Sequence, residues 1–103
     1  QYDPKIAQVL SYINDHLGEE LTVDGLARLV YTSRYHFMRR FKELTGCPVH
    51  QYIIQKRLLA AAELLRAGAS AQEACGQCGF QDYSAFHRAF RRQFGAPPRA
   101  FMP

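Results

Sequence analysis

The 103-residue sequence predicts an all-α fold of seven helices, arranged as two similar halves on either side of one long central helix. Three observations predict it. Apolar residues recur at helical spacing along the chain, and no segment alternates apolar and polar residues with the period of a strand. Asp, Ser, Thr or Pro stands at the start of each periodic segment and Gly just past the end of most. Third, the chain repeats itself. Phe37, Arg39, Phe41, Lys42, Gly46, Pro48 and Tyr52 recur 49 residues later as Phe86, Arg88, Phe90, Arg91, Gly95, Pro97 and Phe101, with the N-cap residues Ser33 and Asp82 opening the two blocks.

Each element has its own justification. Asp3-Pro4 reads as an N-cap followed by Pro at the first helical position, and Ile6, Val9, Leu10, Ile13 and Leu17 continue at helical spacing until Gly18. Thr22 caps a second helix with Val23, Leu26, Ala27 and Val30 inward. Ser33 caps a third, running to about Thr45, with Phe37, Phe41 and Leu44 as its buried stripe and Gly46 as its stop. Pro48 opens the long helix, to about Ala67, with Gly68 as stop. Its apolar residues (Val49, Tyr52, Ile53, Ile54, Leu58, Leu59, Ala61, Ala62, Leu64, Leu65) are too many for one stripe, so it is expected to be buried on more than one side, between the halves. Ser70 caps a short helix to about Cys78, Gly79 turns the chain, Asp82 caps a helix ending at Gly95, and Pro97-Pro98 begin a last turn that returns Phe101 to the core. The expected organisation is one domain over 1–103, with a first subdomain over about 3–47, a linker helix over about 48–67 and a second subdomain over about 70–103. Each half of about 50 residues would bury a marginal core alone. With its start at Gln1 and its end soon after the last element, the chain is expected to be a piece, the C-terminal part, of something longer.

Formal charge is +4, and its distribution is uneven. Residues 1–33 hold Lys5 and Arg28 against Asp3, Asp15, Glu19, Glu20 and Asp24, a net of −3. Residues 34–42 hold Arg34, Arg39, Arg40 and Lys42 with no acid, and residues 83–103 hold Arg88, Arg91, Arg92 and Arg99 with no acid. Two basic clusters on two repeated helices are the footprint of a polyanion binder, nucleic acid first; the other reading is two solvated helix faces. No apolar run approaches the roughly 20 residues that span a bilayer, and no signal peptide is visible, so no membrane partner is expected. Three cysteines, an odd number, argue against a disulfide framework and for a reducing, cytoplasmic setting.

Two helices joined by a short turn, the second one basic, describe a helix-turn-helix, and this chain carries the pattern twice. In such a motif the first helix braces the second, which enters the DNA major groove. Residues of the buried stripe cannot read bases, so the readers lie between them. On the third helix the outward set is Tyr35, Met38, Arg39 and Lys42, spaced i, i+3, i+4, i+7. On the sixth it is Ser84, His87, Arg88 and Arg91, with Tyr83 beside it. Arg39 and Arg88 are the leading candidates, because Arg can bond two guanine acceptors at once, worth about 1–3 kcal/mol of discrimination. Lys42 and Arg91 are placed for phosphate or a second base, Tyr35 and Met38 for thymine methyls, and His87 to donate or accept. The central helix would span about 28 Å at 1.5 Å per residue, against the about 34 Å between successive major-groove faces. One monomer could then read two boxes on one side of a double-stranded DNA.

These residues resemble a known family. Leu21-Thr22, Leu26-Ala27, Ser33, Phe37, Arg39, Phe41-Lys42, Gly46, Tyr52, Arg57, Ala61 and Leu64-Leu65 resemble the first half of the AraC/XylS DNA-binding domain. Glu73, Gly79-Phe80, Asp82, Ser84, Phe86, Arg88, Phe90, Phe94-Gly95 and Pro98 resemble its second half, including a Gly-Phe-x-Asp-x-Ser-x-Phe-x-Arg-x-Phe signature. The resemblance implies two helix-turn-helix motifs joined by a long helix, and the role of a bacterial transcription regulator, by family habit an activator. It also implies recognition-helix contacts with DNA at Tyr35, Met38, Arg39, Lys42, Tyr83, Ser84, His87, Arg88 and Arg91. A separate N-terminal effector-binding or dimerisation domain and RNA polymerase are further partners it suggests. The chain departs from the family where Ala71, Ala74 and Cys78 replace bulky apolar residues, where Cys75 replaces Ala, where Gly76 sits mid-helix, and where Tyr31 stands in place of a frequent Gly. Gly76 costs about 1 kcal/mol relative to Ala, so the second motif is expected to be the looser one.

Cys75-Gly76-Gln77-Cys78 is a C-x-x-C, a redox or metal motif in other settings. A thioredoxin-like reading needs a βαβ context that is not visible, and a zinc site needs about four ligands, which Cys47 and the scattered His16, His36, His50 and His87 do not supply by spacing. Core packing is the expected role of the pair, and no cofactor is expected. No phosphate-binding Gly loop, paired carboxylates or Ser/His/Asp arrangement suggests an enzyme. A thiol- or metal-sensing module and a helical protein-interaction module remain the other function classes.

Overall fold

Asp3 and Pro4 start the first helix as their order implies. The Asp3 carboxylate accepts from the backbone N–H groups of Lys5 (2.9 Å) and Ile6 (3.4 Å), and Pro4 stands where no N–H is needed. The computed structural model describes residues 2–103, with no strand among the described residues. Its elements are α1 (Pro4–Asp15), α2 (Val23–Leu29), α3 (Arg34–Thr45), α4 (Val49–Arg66), α5 (Ala71–Gln77), α6 (Tyr83–Phe94) and a 3-10 turn (Pro98–Phe101). The seventh helix of the sequence reading is this 3-10 turn, which begins at Pro98 and ends after four residues. α1 ends at Asp15, ahead of Gly18. The His16 N–H donates to the Ile13 carbonyl (3.1 Å), its Nδ1 donates to the Tyr12 carbonyl (2.7 Å) and its ring stacks on Tyr12, so the last turn tightens before the glycine is reached.

The chain divides into two compact units, Gln1–Ile54 and Gln55–Pro103, with the boundary inside α4. The core of the first unit is Ile6, Val9 and Ile13 from α1, Leu26, Ala27 and Val30 from α2 and its cap, Phe37 and Phe41 from α3, and Val49 and Ile53 from α4. Phe37 and Phe41, four residues apart, share a face of α3, and Tyr52 meets Phe41 edge-on at 5.4 Å. In the second unit Leu58, Ala61, Ala62 and Leu65 of α4, Ala74 and Cys75 of α5, Cys78, Phe86 and Phe90 of α6, and Pro98 are buried. Leu59, counted in the sequence among the apolar residues of this helix, faces solvent instead at 46% exposure.

The small residues of α5 are matched by aromatic ones around them. Phe80, in the turn after α5, sets its ring 5.1 Å from that of Phe86, and Phe86, Phe90, Phe94 and Phe101 follow in a chain of ring contacts of 4.6–5.7 Å. The Arg66 guanidinium lies over the outer face of Phe101, 4.9 Å from its centroid.

Both bracing helices end in the same hydrogen-bonded motif. After α2, Tyr31 N–H donates to the Arg28 carbonyl and Thr32 N–H to the Ala27 carbonyl. After α5, Gly79 N–H donates to the Gly76 carbonyl and Phe80 N–H to the Cys75 carbonyl. This pattern needs a left-handed residue just past the cap. Gly79 (φ 89°) supplies it in the second unit, and Tyr31 (φ 55°) in the first.

Candidate nucleic-acid interface

α3 and α6 are built alike. Ser33 Oγ accepts from His36 N–H at 3.2 Å at the start of α3, and Asp82 Oδ1 from Ser84 N–H at 3.1 Å at the start of α6. Gly46 (φ 76°) and Gly95 (φ 72°) end the two helices in the left-handed conformation that other residues resist. Each helix buries two phenylalanines four residues apart, which fixes its rotation and decides which side chains remain outside.

On α3 the outside is Tyr35 (73% exposed), Met38, Arg39 and Lys42. These four line one groove of about 420 Å³ with Pro48 and Val49. On α6, Tyr83, Ser84, Arg88 and Arg91 are exposed. His87 differs from its expected outward position: it is half-buried, with its ring 6.2 Å from that of Tyr83, which in turn leans on Phe86.

The two basic clusters are not equivalent. Residues 34–42 hold no acid of their own, but two of the four cations there are paired with the acidic N-terminal third. Arg34 Nη1 bonds Asp24 Oδ1 at 2.9 Å, and Arg40 Nε bonds Asp3 Oδ2 at 2.9 Å. The Arg40 bond draws the Asp3 carboxyl below the ordinary aspartate range, and the same bond raises Arg40 further. Glu43, one residue beyond the acid-free stretch, stands 3.6 Å from both Arg39 and Arg40. Among the described residues Arg88, Arg91 and Arg92 have no carboxylate partner, so α6 presents the less compensated charge. The Glu43 contacts could have been found from i, i+3 and i, i+4 spacing. The Asp3–Arg40 contact joins residues 37 apart and carries no local signal.

Cys75 and Cys78 lie in the second unit's interior, and burial pushes both thiols up, away from the thiolate. Cys75 Sγ lies 3.7 Å from the Phe80 carbonyl. Among the described residues no group of three or more His, Cys, Asp or Glu is placed to hold a metal ion, and no helix is long and apolar enough to cross a membrane.

A helix-turn-helix domain family matches residues 26–102, most of the chain. The chain belongs to the AraC/XylS family of helix-turn-helix domains. Among relatives of this AraC-type domain, the regulatory protein PocR of Salmonella typhimurium is 31% identical over 101 residues, 97% of this chain and 33% of PocR. The HTH-type transcriptional activator RhaS of Salmonella arizonae is 34% identical over 98 residues, 94% of this chain and 35% of RhaS. The AraC-type chain thus spans about a third of the length of these relatives. Among solved structures, the DNA-binding domain of the transcriptional factor AdpA, in complex with a target DNA, is 40% identical with a TM-score of 0.90, covering 97% of this chain and 90% of that one.

Proposed function

We propose that this AraC-type chain binds double-stranded DNA in a sequence-specific manner, as the DNA-reading part of a cytoplasmic bacterial transcription regulator that activates its targets and is not an enzyme. The observation that carries the reading is the doubled design of α3 and α6. Each is a capped basic helix, clamped by two buried phenylalanines, that leaves an aromatic residue, an Arg and a second cation outside. That a 40% identical domain was crystallised with its target DNA supports it.

In this reading the two helices enter successive major grooves. Arg39 and Arg88 bond guanine O6 and N7. Lys42 and Arg91, one turn further along, bond phosphate or a second base. Tyr35 and Met38 supply the apolar surface that meets thymine methyls, Tyr83 and Ser84 flank the start of α6, and His87, steadied by Tyr83, contacts a base or the backbone from its half-buried position. RNA polymerase and an effector-binding or dimerisation domain are the proposed protein partners, since activation requires the first and the relatives are about three times as long as this chain.

The test is selection of bound sequences from a random duplex pool with the wild-type chain, Arg39→Ala and Arg88→Ala. The wild type is expected to enrich two boxes about one helical turn, roughly 34 Å, apart, with each variant relaxing one of them. Enrichment of the Arg39 box alone would make α6 a backbone clamp. No enrichment over random DNA would overturn the reading and leave a helical module for an acidic protein partner.

A further inference from the structure

The outward face of α3 carries an acid that base reading does not call for. Glu43 Oε2 lies 3.6 Å from Arg39 Nε, and Glu43 Oε1 lies 3.6 Å from Arg40 Nη1. Arg40 is itself fixed, because its Nε bonds Asp3 Oδ2 at 2.9 Å while Asp3 Oδ1 is held by the backbone N–H groups that begin α1. A continuous line of charge contacts therefore runs from the first turn of α1, through Arg40 and Glu43, to the exposed guanidinium of Arg39. An exposed i, i+4 ion pair adds little to stability, and an acid on a DNA-facing helix works against phosphate binding. What the pair changes is orientation. Arg39 is a long side chain, 65% exposed, whose rotamer freedom would otherwise be lost when it meets a base. The guanidinium offers five N–H donors in a planar fork. Of the guanidinium nitrogens Nε is the one in ion-pair contact with Glu43, which leaves the two terminal nitrogens for the two acceptors of guanine.

We infer that Glu43 is a positioning residue for Arg39, so that guanine preference in the first box is set by the Arg39–Glu43 pair and not by Arg39 alone. The inference rests on the proposal that α3 reads bases. Two effects of removing Glu43 are then of opposite sign. Loss of its charge tightens binding to any duplex, while loss of the anchor lets Arg39 accept other bases.

The experiment measures affinity by fluorescence anisotropy for three duplexes: the selected site, the same site with the Arg39-dependent guanine changed to adenine, and a random duplex. The proteins are the wild type, Arg39→Ala, Glu43→Ala, Glu43→Gln and the Arg39→Ala/Glu43→Ala double variant. Glu43→Ala is expected to lower the guanine-over-adenine ratio by about tenfold while binding random duplex as well as or better than the wild type. Glu43→Gln, which keeps an acceptor near Nε, is expected to recover part of the ratio. In the Arg39→Ala background, removal of Glu43 should leave the ratio where Arg39→Ala put it. An unchanged ratio in Glu43→Ala overturns the inference, and so does a further drop in the double variant, which would make Glu43 an independent reader of cytosine. If Arg39→Ala itself leaves the ratio unchanged, base reading by α3 is overturned and the inference with it.

Discussion

Tyr31→Gly should raise the melting temperature. Tyr31 sits at φ 55°, the left-handed region, directly after α2, where its N–H and that of Thr32 close the end of the helix. A Cβ there costs about 1–2 kcal/mol. The side chain returns little, since it is 92% exposed. Glycine removes the strain but adds about 0.5–1 kcal/mol of unfolded-chain entropy. The difference spans about 0–1.5 kcal/mol, and its centre of about 0.75 kcal/mol corresponds, for a domain of this size, to a rise of roughly 3–6 °C. The assay is thermal unfolding followed by circular dichroism at 222 nm, with Tyr31→Ala as the control. Alanine keeps the Cβ, and therefore the strain, while removing the same ring. A glycine variant that melts at or below the wild type, or an alanine variant that rises as much as the glycine one, would refute the strain argument and show that the ring itself is stabilising or destabilising.

Two glycines with equally open surroundings should respond to alanine in opposite directions. A Cβ at Gly76 or at Gly46 meets nothing within 4 Å, but Gly76 is helical while Gly46 has φ +76°. Gly76→Ala should therefore gain about 1 kcal/mol and Gly46→Ala lose about 1–2 kcal/mol, read as midpoints of urea unfolding. Phe90→Ala, at the centre of the second unit's ring cluster with no exposed surface, should lose about 3–5 kcal/mol, whereas half-exposed Leu59→Ala on α4 should stay within about 0.5 kcal/mol. The Asp3 carboxyl, held down by Arg40, and the Glu73 carboxyl, held down by the Ser70 backbone N–H, both titrate below their ordinary values in the folded chain. Their contributions are present above the ordinary carboxylate range and are lost as pH falls through the folded values. The melting temperature should accordingly decline on acidification in that window, and less steeply in Glu73→Gln, which keeps the cap geometry.

Much of the fold was legible because its determinants are local. Asp3, Thr22, Ser33, Ser70 and Asp82 each cap the helix that they were expected to cap. The Phe37/Phe41 and Phe86/Phe90 pairs fix the inner faces of α3 and α6 by spacing alone. What escaped depended on geometry beyond one turn. Gly18 looked like the end of α1, but the Tyr12–His16 stack ends it sooner. The turn of the second motif holds three residues, Gly79 to Gln81, where that of the first has two, Tyr31 and Thr32. Phe80, at the position that Thr32 holds in the first motif, sets its ring 5.1 Å from that of Phe86.

The candidate site was legible in its outward residues, His87 excepted, but not in its charge. Counting Lys and Arg over 34–42 gave four cations. Folding brings Asp24 and Asp3 onto two of them, so the net-negative first third of the chain acts on α3 as a selective counter-charge. The cations left outward are Arg39 and Lys42, which lie one turn apart beside the groove with Tyr35 and Met38. Neutralising the flanking cations weakens attraction to phosphate while leaving in place the two proposed as DNA contacts. That exchange weakens binding to every duplex about alike, so that base contacts make up a larger share of what α3 contributes. α6, with Arg88, Arg91 and Arg92 uncompensated among the described residues, makes the opposite choice. The two readers of one chain are thus expected to divide the work, with α3 weighted toward discrimination and α6 toward attachment. The salt dependence of binding should fall more in Arg92→Ala than in Arg34→Ala, whose charge Asp24 already offsets, and equal losses would count against this division.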